Sequence, residues 1–255
     1  MSHSVNVITS ILASSVRSWR GTTTKIETAV PPKLITLYDR EGCPDCRLVR
    51  EALTELNLDV HIVPCPEGNA QATDKLKAAS GSTLVPHLID PNSDKTMSGQ
   101  DSIVCYLFNE YRGSEVPEKL APGFKNAIAS RLATTLRNGS GTLSLPAKEA
   151  EQPLTLYGFE SSPYTRLVRE RLCEYGIHYH LITLGKQQRA DVGIPNLRMT
   201  LKKYRPVPHS KRDKFFSRHG NVQVPYLIDP NTEVALFESV EILQYLDKTY
   251  GIKRA

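Results

Sequence analysis

Hydrophobic residues recur along the first half of the chain with two alternating periods, one typical of strands and the other typical of helices. The pattern predicts, in chain order, a strand over Lys33–Asp39, a helix starting at Pro44, a strand over Asp59–Val63, a helix over Ala70–Ala79, a strand over Pro86–Asp90, a short further strand and a helix over residues 100–112. Alternating strands and helices of this kind predict an α/β fold.

The second half of the chain repeats the first. Residues 36–53 and 155–172 are identical at 11 of 18 positions, at an offset of 119. Residues 85–92 and 224–231 agree at 7 of 8 positions, at an offset of 139. The repeat therefore predicts the same order of elements in both halves.

The predicted elements of the second half are strands over Pro153–Tyr157, His178–Leu184, Pro225–Asp229 and Val234–Phe237, and helices over Tyr164–Tyr175 and Glu238–Lys248. Gly113, Pro117 and Pro122 interrupt the pattern between the halves. We therefore expect two domains, which comprise residues 1–116 and 117–255.

A third, weaker match joins the N-terminal segment to the region between the halves. Residues 8–22 and 128–142 are identical at seven of 15 positions, and Ile8, Leu12 and Val16 recur there at helical spacing. A segment rich in Ser and Arg, with no acidic residue before Glu27, also resembles an organelle transit peptide. A cleaved peptide would have no reason to recur within the chain, so we expect a folded helix that precedes each domain.

Charge and hydropathy limit the function only weakly. The 255 residues carry a net charge of +5. No stretch approaches the ~20 apolar residues of a membrane span. Five cysteines at irregular spacing do not resemble a secreted disulfide framework. We therefore expect a cytoplasmic protein, with organelle targeting as the open alternative.

Two of the cysteines form a C-P-D-C motif between the first predicted strand and the helix that follows. Cys43 would lie at the helix N-terminus, where unpaired N–H groups and the helix dipole favour a thiolate. Cys46 would lie one turn further, close enough to attack a mixed disulfide on Cys43. Arg40 and Arg47 would lower the pKa of Cys43, whereas Asp45 would raise it.

Three interpretations of the motif are open: redox exchange, which is favoured, metal or iron–sulfur binding, and inert packing. A structural zinc site usually has a second ligand pair, which His61, Cys65 and His87 would have to provide. Cys65 is expected to be a buried core residue rather than a third redox thiol. Cys105 and Cys173 are also expected in the core, since they lie among apolar residues of predicted helices.

These features resemble the thioredoxin fold, in which a strand leads to C-P-x-C at a helix start and Val-Pro precedes a later strand. The run Ser98-Gly99-Gln100-Asp101 is similar to the glutaredoxin G-x-D signature. The run Phe237-Glu238-Ser239 is similar to the E-S motif of glutathione S-transferase N-terminal domains. Over residues 33–112 and 153–250 the chain resembles tandem proteins of this branch. The expected fold is α/β, with two tandem thioredoxin-like domains, each preceded by a helix.

The resemblance implies that glutathione is a substrate or ligand, that no metal is bound, that Cys43 is the nucleophile and that Cys46 is the resolving thiol. In the family the proline of Val-Pro is cis, the backbone before it binds the cysteinyl part of glutathione, and a helix N-terminus binds the γ-glutamyl carboxylate. The implied glutathione-binding residues are Val85, Pro86, Gln100, Asp101 and Ser102 in the first half, and Ser162, Val224, Pro225, Glu238 and Ser239 in the second. Ordinary helix capping is an alternative role for the polar residues at the two helix starts.

The second half has lost both cysteines of the motif, with Ser162 in place of Cys43 and Thr165 in place of Cys46. Without a thiol this half cannot exchange disulfides. Ser162 matches the serine with which some glutathione S-transferases hold the glutathione thiolate. Transferases take their second-substrate site from a helical C-terminal domain, which we do not expect here, because only a few residues follow the last predicted helix. A degenerate domain kept for packing or peptide binding is therefore an equal alternative.

The change of offset places 20 additional residues in the second half, between Gly185 and Gly220. Residues 186–220 hold ten Lys or Arg and two Asp, which gives this segment a net charge of +8. One interpretation is contact with an acidic partner, a nucleic acid or an anionic surface. The favoured interpretation is a solvated loop with one or two short helices.

The sequence therefore predicts a glutathione-dependent thiol–disulfide oxidoreductase that acts on a disulfide or a glutathionylated protein. One alternative is a glutathione S-transferase-like protein in which Ser162 activates glutathione. The other is a non-catalytic protein that binds glutathione or an iron–sulfur cluster, or serves as a scaffold.

Overall fold

A computed structural model describes residues 3–25, 28–193, 198–200 and 203–252. The elements of the first half are α1 (His3–Val16), β1 (Ile35–Asp39), α2 (Pro44–Glu55), β2 (Val60–Pro64), α3 (Ala70–Ser80), β3 (His87–Asp90), β4 (Lys95–Ser98) and α4 (Gln100–Arg112). The elements of the second half are α5 (Phe124–Thr135), β5 (Leu154–Gly158), α6 (Pro163–Glu174), β6 (Tyr179–Thr183), a 3-10 turn (Arg189–Asp191), α7 (Lys211–His219), β7 (Tyr226–Asp229), β8 (Val234–Phe237) and α8 (Ser239–Thr249). The predicted order of strands and helices is confirmed in both halves.

The eight strands form one sheet in the order β4-β3-β1-β2-β6-β5-β7-β8. In the first half β1 pairs parallel with β2 and antiparallel with β3, and β3 pairs antiparallel with β4. The second half repeats this pattern with β5, β6, β7 and β8. The halves meet where β2 pairs antiparallel with β6, so that His61 lies opposite His180. These two histidines are 119 residues apart, the offset of the repeat, so a local twofold axis passes between them. The predicted α/β fold with two tandem thioredoxin-like domains is confirmed.

One apolar core extends through both halves under the joined sheet. It includes Leu37, Leu53 and Leu107 from the first half and Leu156 and Leu172 from the second, all fully buried. Burial of this continuous core is the main stabilising contribution that the two halves share. Among the described residues, no helix combines the length and the apolar character that a membrane crossing requires.

The helices predicted to precede the domains are present as α1 and α5, but they are swapped between the halves. Helix α1 packs on α6, where Ser10 Oγ donates a hydrogen bond to the carbonyl of Pro163 at 3.0 Å. Helix α5 packs on α2, where Ser130 Oγ donates to the carbonyl of Pro44 at 2.7 Å. The division of the sequence after residue 116 stays a prediction, but in space each preceding helix lies on the opposite half.

Buried ion pairs join the two halves near the swapped helices. Arg50 Nε lies 2.9 Å from Glu160 Oε2, and the repeat-related Arg169 Nη2 lies 2.9 Å from Glu41 Oε1. Arg50 Nη1 also lies 2.6 Å from Asp39 Oδ1. Removal of one member would leave a buried charge without its partner, so these pairs hold the two halves in a defined orientation.

The basic segment 186–220 includes residues 194–197 and 201–202, which lie outside the described residues. Its helix α7 covers the second half of the sheet, because Phe215 is buried and packs on Tyr157 with ring centroids 5.2 Å apart. Lys211 Nζ pairs with Asp59 Oδ1 at 2.6 Å, so part of the positive charge has a partner within the chain. These contacts support the interpretation of a segment with short helices, and contact with an acidic partner stays a prediction.

Candidate functional site

Cys43 is the N-cap residue of α2, and Pro44 occupies the first helical position. The Cys43 Sγ accepts a hydrogen bond from the backbone N–H of Cys46, with a distance of 3.5 Å between sulfur and nitrogen. Cys43 is partly exposed, whereas Cys46 is fully buried. The helix start therefore presents one thiol to solvent and holds the other in the interior.

The pKa values of these two thiols shift in opposite directions. A hydrogen bond from the Cys46 side chain, together with the backbone N–H groups of Cys46 and Asp45, lowers the pKa of Cys43 to about 7. Burial and the negative charge of Asp45 oppose this shift and are outweighed. Burial, the hydrogen bond with Cys43 and the charges of Cys43 and Asp39 raise the pKa of Cys46 well above its ordinary value.

The two arginines near the motif have partners away from Cys43. Arg40 donates from Nε to the carbonyl of Cys65 at 2.9 Å, and its Nη1 pairs with Glu67 at 2.5 Å. Arg47 is buried, and its Nη2 donates to Thr134 Oγ1 on α5 at 3.1 Å. Hydrogen bonds at the helix start, rather than arginine charge, account for the lowered pKa of Cys43.

The other cysteines lie in different environments. Cys65 and Cys173 are buried, as predicted, and burial raises the pKa of Cys65 to about 12. The prediction for Cys105 is wrong, because its side chain is exposed. Helix α4 turns Ile103 and Leu107 into the core, and Cys105 lies on the opposite face.

The side chains proposed as additional metal ligands do not form a metal site. His87 Nδ1 lies 2.8 Å from Ser98 Oγ, and its Nε2 lies 3.1 Å from Thr96 Oγ1. His61 lies against His180, with ring centroids 5.1 Å apart. In the part of the chain that the structure describes, no cluster of His, Cys, Asp and Glu could hold a metal ion.

The predicted glutathione-binding residues of the first half lie around one turn and one helix start. The Val85–Pro86 peptide bond is cis, as the resemblance implies, and the Pro86 carbonyl accepts a hydrogen bond from the Gly99 N–H at 3.1 Å. Gly99 caps α4, and the first helical turn contains Gln100, Asp101 and Ser102, of which the last two are exposed. The structure therefore brings the turn and the helix start together, while their contact with glutathione stays a prediction.

The corresponding residues of the second half lie at the start of α8. The Val224–Pro225 bond is also cis, and Glu238 takes the place of Gly99 as the N-cap residue with φ 63°. Glu238 is exposed, whereas Ser239 is buried and its Oγ lies 3.5 Å from His3 Nε2 of α1. The swapped helix α1 therefore reaches the candidate ligand site of the second half.

Ser162 is the N-cap residue of α6, as its alignment with Cys43 predicts. Its side chain is only 3% exposed. Its Oγ accepts hydrogen bonds from the Thr165 N–H at 3.3 Å and from Thr165 Oγ1 at 2.9 Å. The hydroxyl is in the expected place but is enclosed and already hydrogen-bonded.

Sequence reasoning missed the segments that close over each helix start. The N–H of Gly42 donates to the carbonyl of Gly141 at 3.0 Å, and the N–H of Ser161 donates to the carbonyl of Gly21 at 3.1 Å. Both acceptor glycines have positive φ, and a Cβ on either would lie less than 3 Å from a glutamate Cβ. The shared Gly-Thr at 21–22 and 141–142 was the available signal, but the sequence did not show what these residues contact.

A second difference between the halves lies beneath the motif. Asp39 ends β1, and its charge contributes to the raised pKa of Cys46. The repeat replaces Asp39 by Gly158 and Cys46 by Thr165. A Cβ on Gly158 would lie 2.3 Å from Thr165 Cγ2. The two replacements therefore depend on each other, because the threonine methyl group needs the space that glycine leaves.

Comparison with known proteins identifies the family. The family model described as glutathione S-transferase, N-terminal domain, matches the chain at residues 37–115 and again at residues 156–254. No curated protein sequence matches the chain. A solved structure titled "Leishmania TDR1 - a unique trimeric glutathione transferase" is 15% identical, with 86% of this chain and 69% of that chain covered and a TM-score of 0.28, which is too low to support an argument. The two segments matched by the family model span well over half of the chain, which therefore belongs to the glutathione S-transferase N-terminal domain family and carries two copies of that domain.

Proposed function

We propose that the protein is a glutathione-dependent thiol–disulfide oxidoreductase with one redox site, in its first half. The observation that carries the proposal is the paired geometry of Cys43 and Cys46 at the start of α2. A partly exposed thiol with a pKa of about 7 is followed one turn later by a buried thiol with a raised pKa. At neutral pH about half of Cys43 would be thiolate, which is the form that attacks disulfides.

The reaction proceeds in two thiol–disulfide exchanges. The Cys43 thiolate attacks one sulfur of the substrate disulfide, forms a mixed disulfide and releases the other sulfur as a thiolate. Cys46 Sγ then attacks Cys43 Sγ and its proton passes to the departing sulfur, so that the Cys43–Cys46 disulfide forms and the second substrate sulfur leaves as a thiol. Two glutathione molecules supply the two electrons that reduce this disulfide and leave as glutathione disulfide.

The groove for glutathione would be formed by Val85, Pro86 and the first turn of α4. The backbone of Val85, before the cis proline, would pair with the cysteinyl part of the tripeptide. The N–H groups at the start of α4 would bind the γ-glutamyl carboxylate, because the positive end of a helix favours an anion. Asp101 is exposed in that turn and would meet the glutathione ammonium group.

The second half would not exchange disulfides, because it has no thiol at the helix start. Its Ser162 hydroxyl is buried and accepts two hydrogen bonds from Thr165. Activation of glutathione by this hydroxyl would require the bonds to rearrange and the site to open. We therefore propose that the second half acts as the partner that completes the fold of the first.

The test is the pH dependence of Cys43 alkylation by iodoacetamide, read by mass spectrometry. Because Cys105 is exposed, every sample carries Cys105→Ser, so that the signal at the motif has no competitor on the surface. The expected alkylation midpoint is near pH 7. In a Cys46→Ser variant, which cannot resolve the intermediate, glutathione disulfide should form a lasting mixed disulfide on Cys43. The matched control moves the thiol to the second half with Cys43→Ser and Ser162→Cys, and the enclosed thiol should react slowly.

Two results would contradict the proposal. One is an alkylation midpoint near the ~8.5 of a free cysteine without a glutathione adduct. The other is equal disulfide-exchange activity in the wild type and in Cys43→Ser. In either case the motif would be a packing feature, and the protein would be a binding protein rather than an oxidoreductase.

A further inference from the structure

Helices α1 and α5 have their polarity inverted relative to ordinary surface helices. Their buried residues are small or polar, namely Ser10, Ala13 and Ser14 in α1 and Asn126, Ser130 and Ala133 in α5. Their large apolar residues face solvent, with exposed fractions of 37% to 80%: Val5, Ile8, Leu12 and Val16 in α1, and Phe124, Ile128, Leu132 and the C-cap residue Leu136 of α5. We call these eight side chains the α1/α5 face.

The two apolar stripes lie side by side because the helices are antiparallel neighbours. Arg17, just after α1, donates from Nη1 to the carbonyl of Asn126 near the start of α5, at 3.0 Å. Arg137, just after α5, donates from Nη1 to the carbonyl of Asn6 near the start of α1, at 2.9 Å. The repeat relates the two helices, so the same inverted polarity occurs twice on adjoining surfaces.

The size of the face matches what an interface between two proteins needs. The eight residues together expose several hundred Å², on the order of or above the ~300–600 Å² of the largest apolar patch on a typical monomer. A standard stable interface buries about 800 Å² on each partner. The α1/α5 face alone supplies most of that area, and the rim around it would supply the rest.

Charge decides which helices can meet across such an interface. Helix α1 contains no Lys, Arg, Asp or Glu, whereas α5 carries the exposed cations Lys125 and Arg131. Contact between two copies of α5 would bring like charges together without compensation. Contact between α5 and the uncharged α1 of another copy avoids this repulsion.

We infer that a second copy of this chain covers the α1/α5 face, so that α5 of each copy lies against α1 of the other in a four-helix bundle. A twofold axis generates this arrangement, because each copy presents the same surface and both contacts form at once. Small and polar residues then face the domain of the same copy, and large apolar residues fill the bundle. The inference does not depend on the redox chemistry of Cys43.

The test is the mass of the full chain in solution, measured by sedimentation velocity from about 1 to 100 µM, the range in which moderate affinities are resolved. The wild type should sediment as two copies. Leu12→Glu on α1 and Leu132→Glu on α5 should each shift the protein to one copy, because each places a charge in the bundle. Leu143→Glu is the matched control, since Leu143 is 62% exposed but lies outside the face, and it should remain two copies.

Circular dichroism of each variant checks that the helices remain folded, and the milder Leu12→Ser and Leu132→Ser should still weaken the dimer. A wild type that sediments as one copy at all concentrations would overturn the inference, as would a dimer unchanged by both glutamate variants or a particle of more than two copies. Flotation of a single-copy wild type with phosphatidylcholine and phosphatidylserine vesicles, lost in Leu12→Glu, would assign the face to a lipid surface instead. Cys43→Ser should leave the mass unchanged, which separates this result from the proposed function.

Discussion

The N-terminal residues of α2 and α6 align in the repeat, but only α2 presents a thiol to solvent at that position. Cys43 is partly exposed and has a lowered pKa, whereas Ser162 at the equivalent position is enclosed and is bonded by Thr165. The cis proline, the helix cap and the strand order are common to both halves. The comparison shows that the two halves keep the same backbone frame although the side chains at the helix start differ in identity and exposure.

The difference extends below the surface, to the end of the first strand in each half. Asp39 lies beneath Cys46 with its charge held by Arg50, and Gly158 lies beneath Thr165 with no side chain at all. A hydroxyl and a methyl group thus fill a place where the first half keeps a buried carboxylate near a thiol. Restoring the two cysteines alone would not reproduce the first site, because Gly158 supplies no carboxylate beneath the restored thiol.

The largest expected effect is on disulfide-exchange activity, which should depend on the helix start of the first half and not on that of the second. Cys43→Ser should reduce disulfide exchange with glutathione to the uncatalysed background, because a hydroxyl is a poor nucleophile toward sulfur. Ser162→Ala should leave the rate unchanged. The measurement is reduction of a glutathionylated peptide, and loss of activity in Ser162→Ala with retention in Cys43→Ser would place the chemistry in the wrong half.

The next largest effect is on the free energy of unfolding and concerns the buried ion pairs. The central arginine of the first half has one more acidic partner than its equivalent in the second half. Arg50 is paired with Asp39, Glu41 and Glu160, while Arg169 is paired only with the two glutamates. Arg50→Met should lower the free energy of unfolding by about 3–5 kcal/mol, because it leaves buried carboxylates without a cation. Arg169→Met should cost less, since one acid fewer loses its partner.

Urea denaturation of both variants at neutral pH measures this difference. Asp39→Asn provides the control, because it removes the additional acid and should make the two arginine substitutions more nearly equal in cost. A larger loss of stability in Arg169→Met than in Arg50→Met would show that the second half, not the first, governs the junction.

A smaller effect tests the coupling of Gly158 to Thr165. Gly158→Ala should destabilise the protein by about 1–3 kcal/mol, because the added Cβ overlaps Thr165 Cγ2 and forces local strain. Thr165→Ser removes that methyl group and should recover part of the loss. The double-mutant cycle, measured by thermal unfolding, should give a coupling free energy well above the error of additivity. Additive single and double substitutions would mean that the two positions do not share space.

Much of this architecture was predictable from the sequence, because the repeat and the apolar periods mark each element. The start of α2 at Pro44 and the final strand at Val234–Phe237 were predicted correctly, since a proline and a short apolar run between polar residues are local signals. The swap of α1 and α5 was not predictable, because Ser10 and Ser130 show nothing of which helix they contact. Cys105 was misplaced for a related reason, since an apolar neighbourhood in sequence does not fix the side of the helix.

The smallest expected effect is a difference in pKa between His61 and His180. These two histidines are equivalent in the repeat and face each other across the local twofold axis, but their surroundings differ. Burial lowers the pKa of His61 to about 4, assisted by the positive charges of His178 and His180, and burial lowers the pKa of His180 as well. The unequal neighbour is His178, whose repeat equivalent in the first half is Asp59. NMR titration should therefore show His61 losing its proton at lower pH than His180, and His178→Asn should raise the pKa of His61.

The same shifts fix the pH dependence of stability. Because folding lowers the pKa of His61, His178 and His180, the unfolded chain binds more protons than the folded chain below its ordinary histidine pKa of about 6.5. The free energy of unfolding is therefore unaffected by these histidines above pH ~6.5, where they are neutral in both states. It decreases as the pH falls from ~6.5 toward about 4, because protons bind preferentially to the unfolded chain. His61→Gln should flatten the fall in urea midpoint over this interval. If the pH dependence of the urea midpoint is the same in His61→Gln as in the wild type, protonation of His61 does not destabilise the folded protein. Charge repulsion between the histidines where the two halves join would then make no contribution to stability.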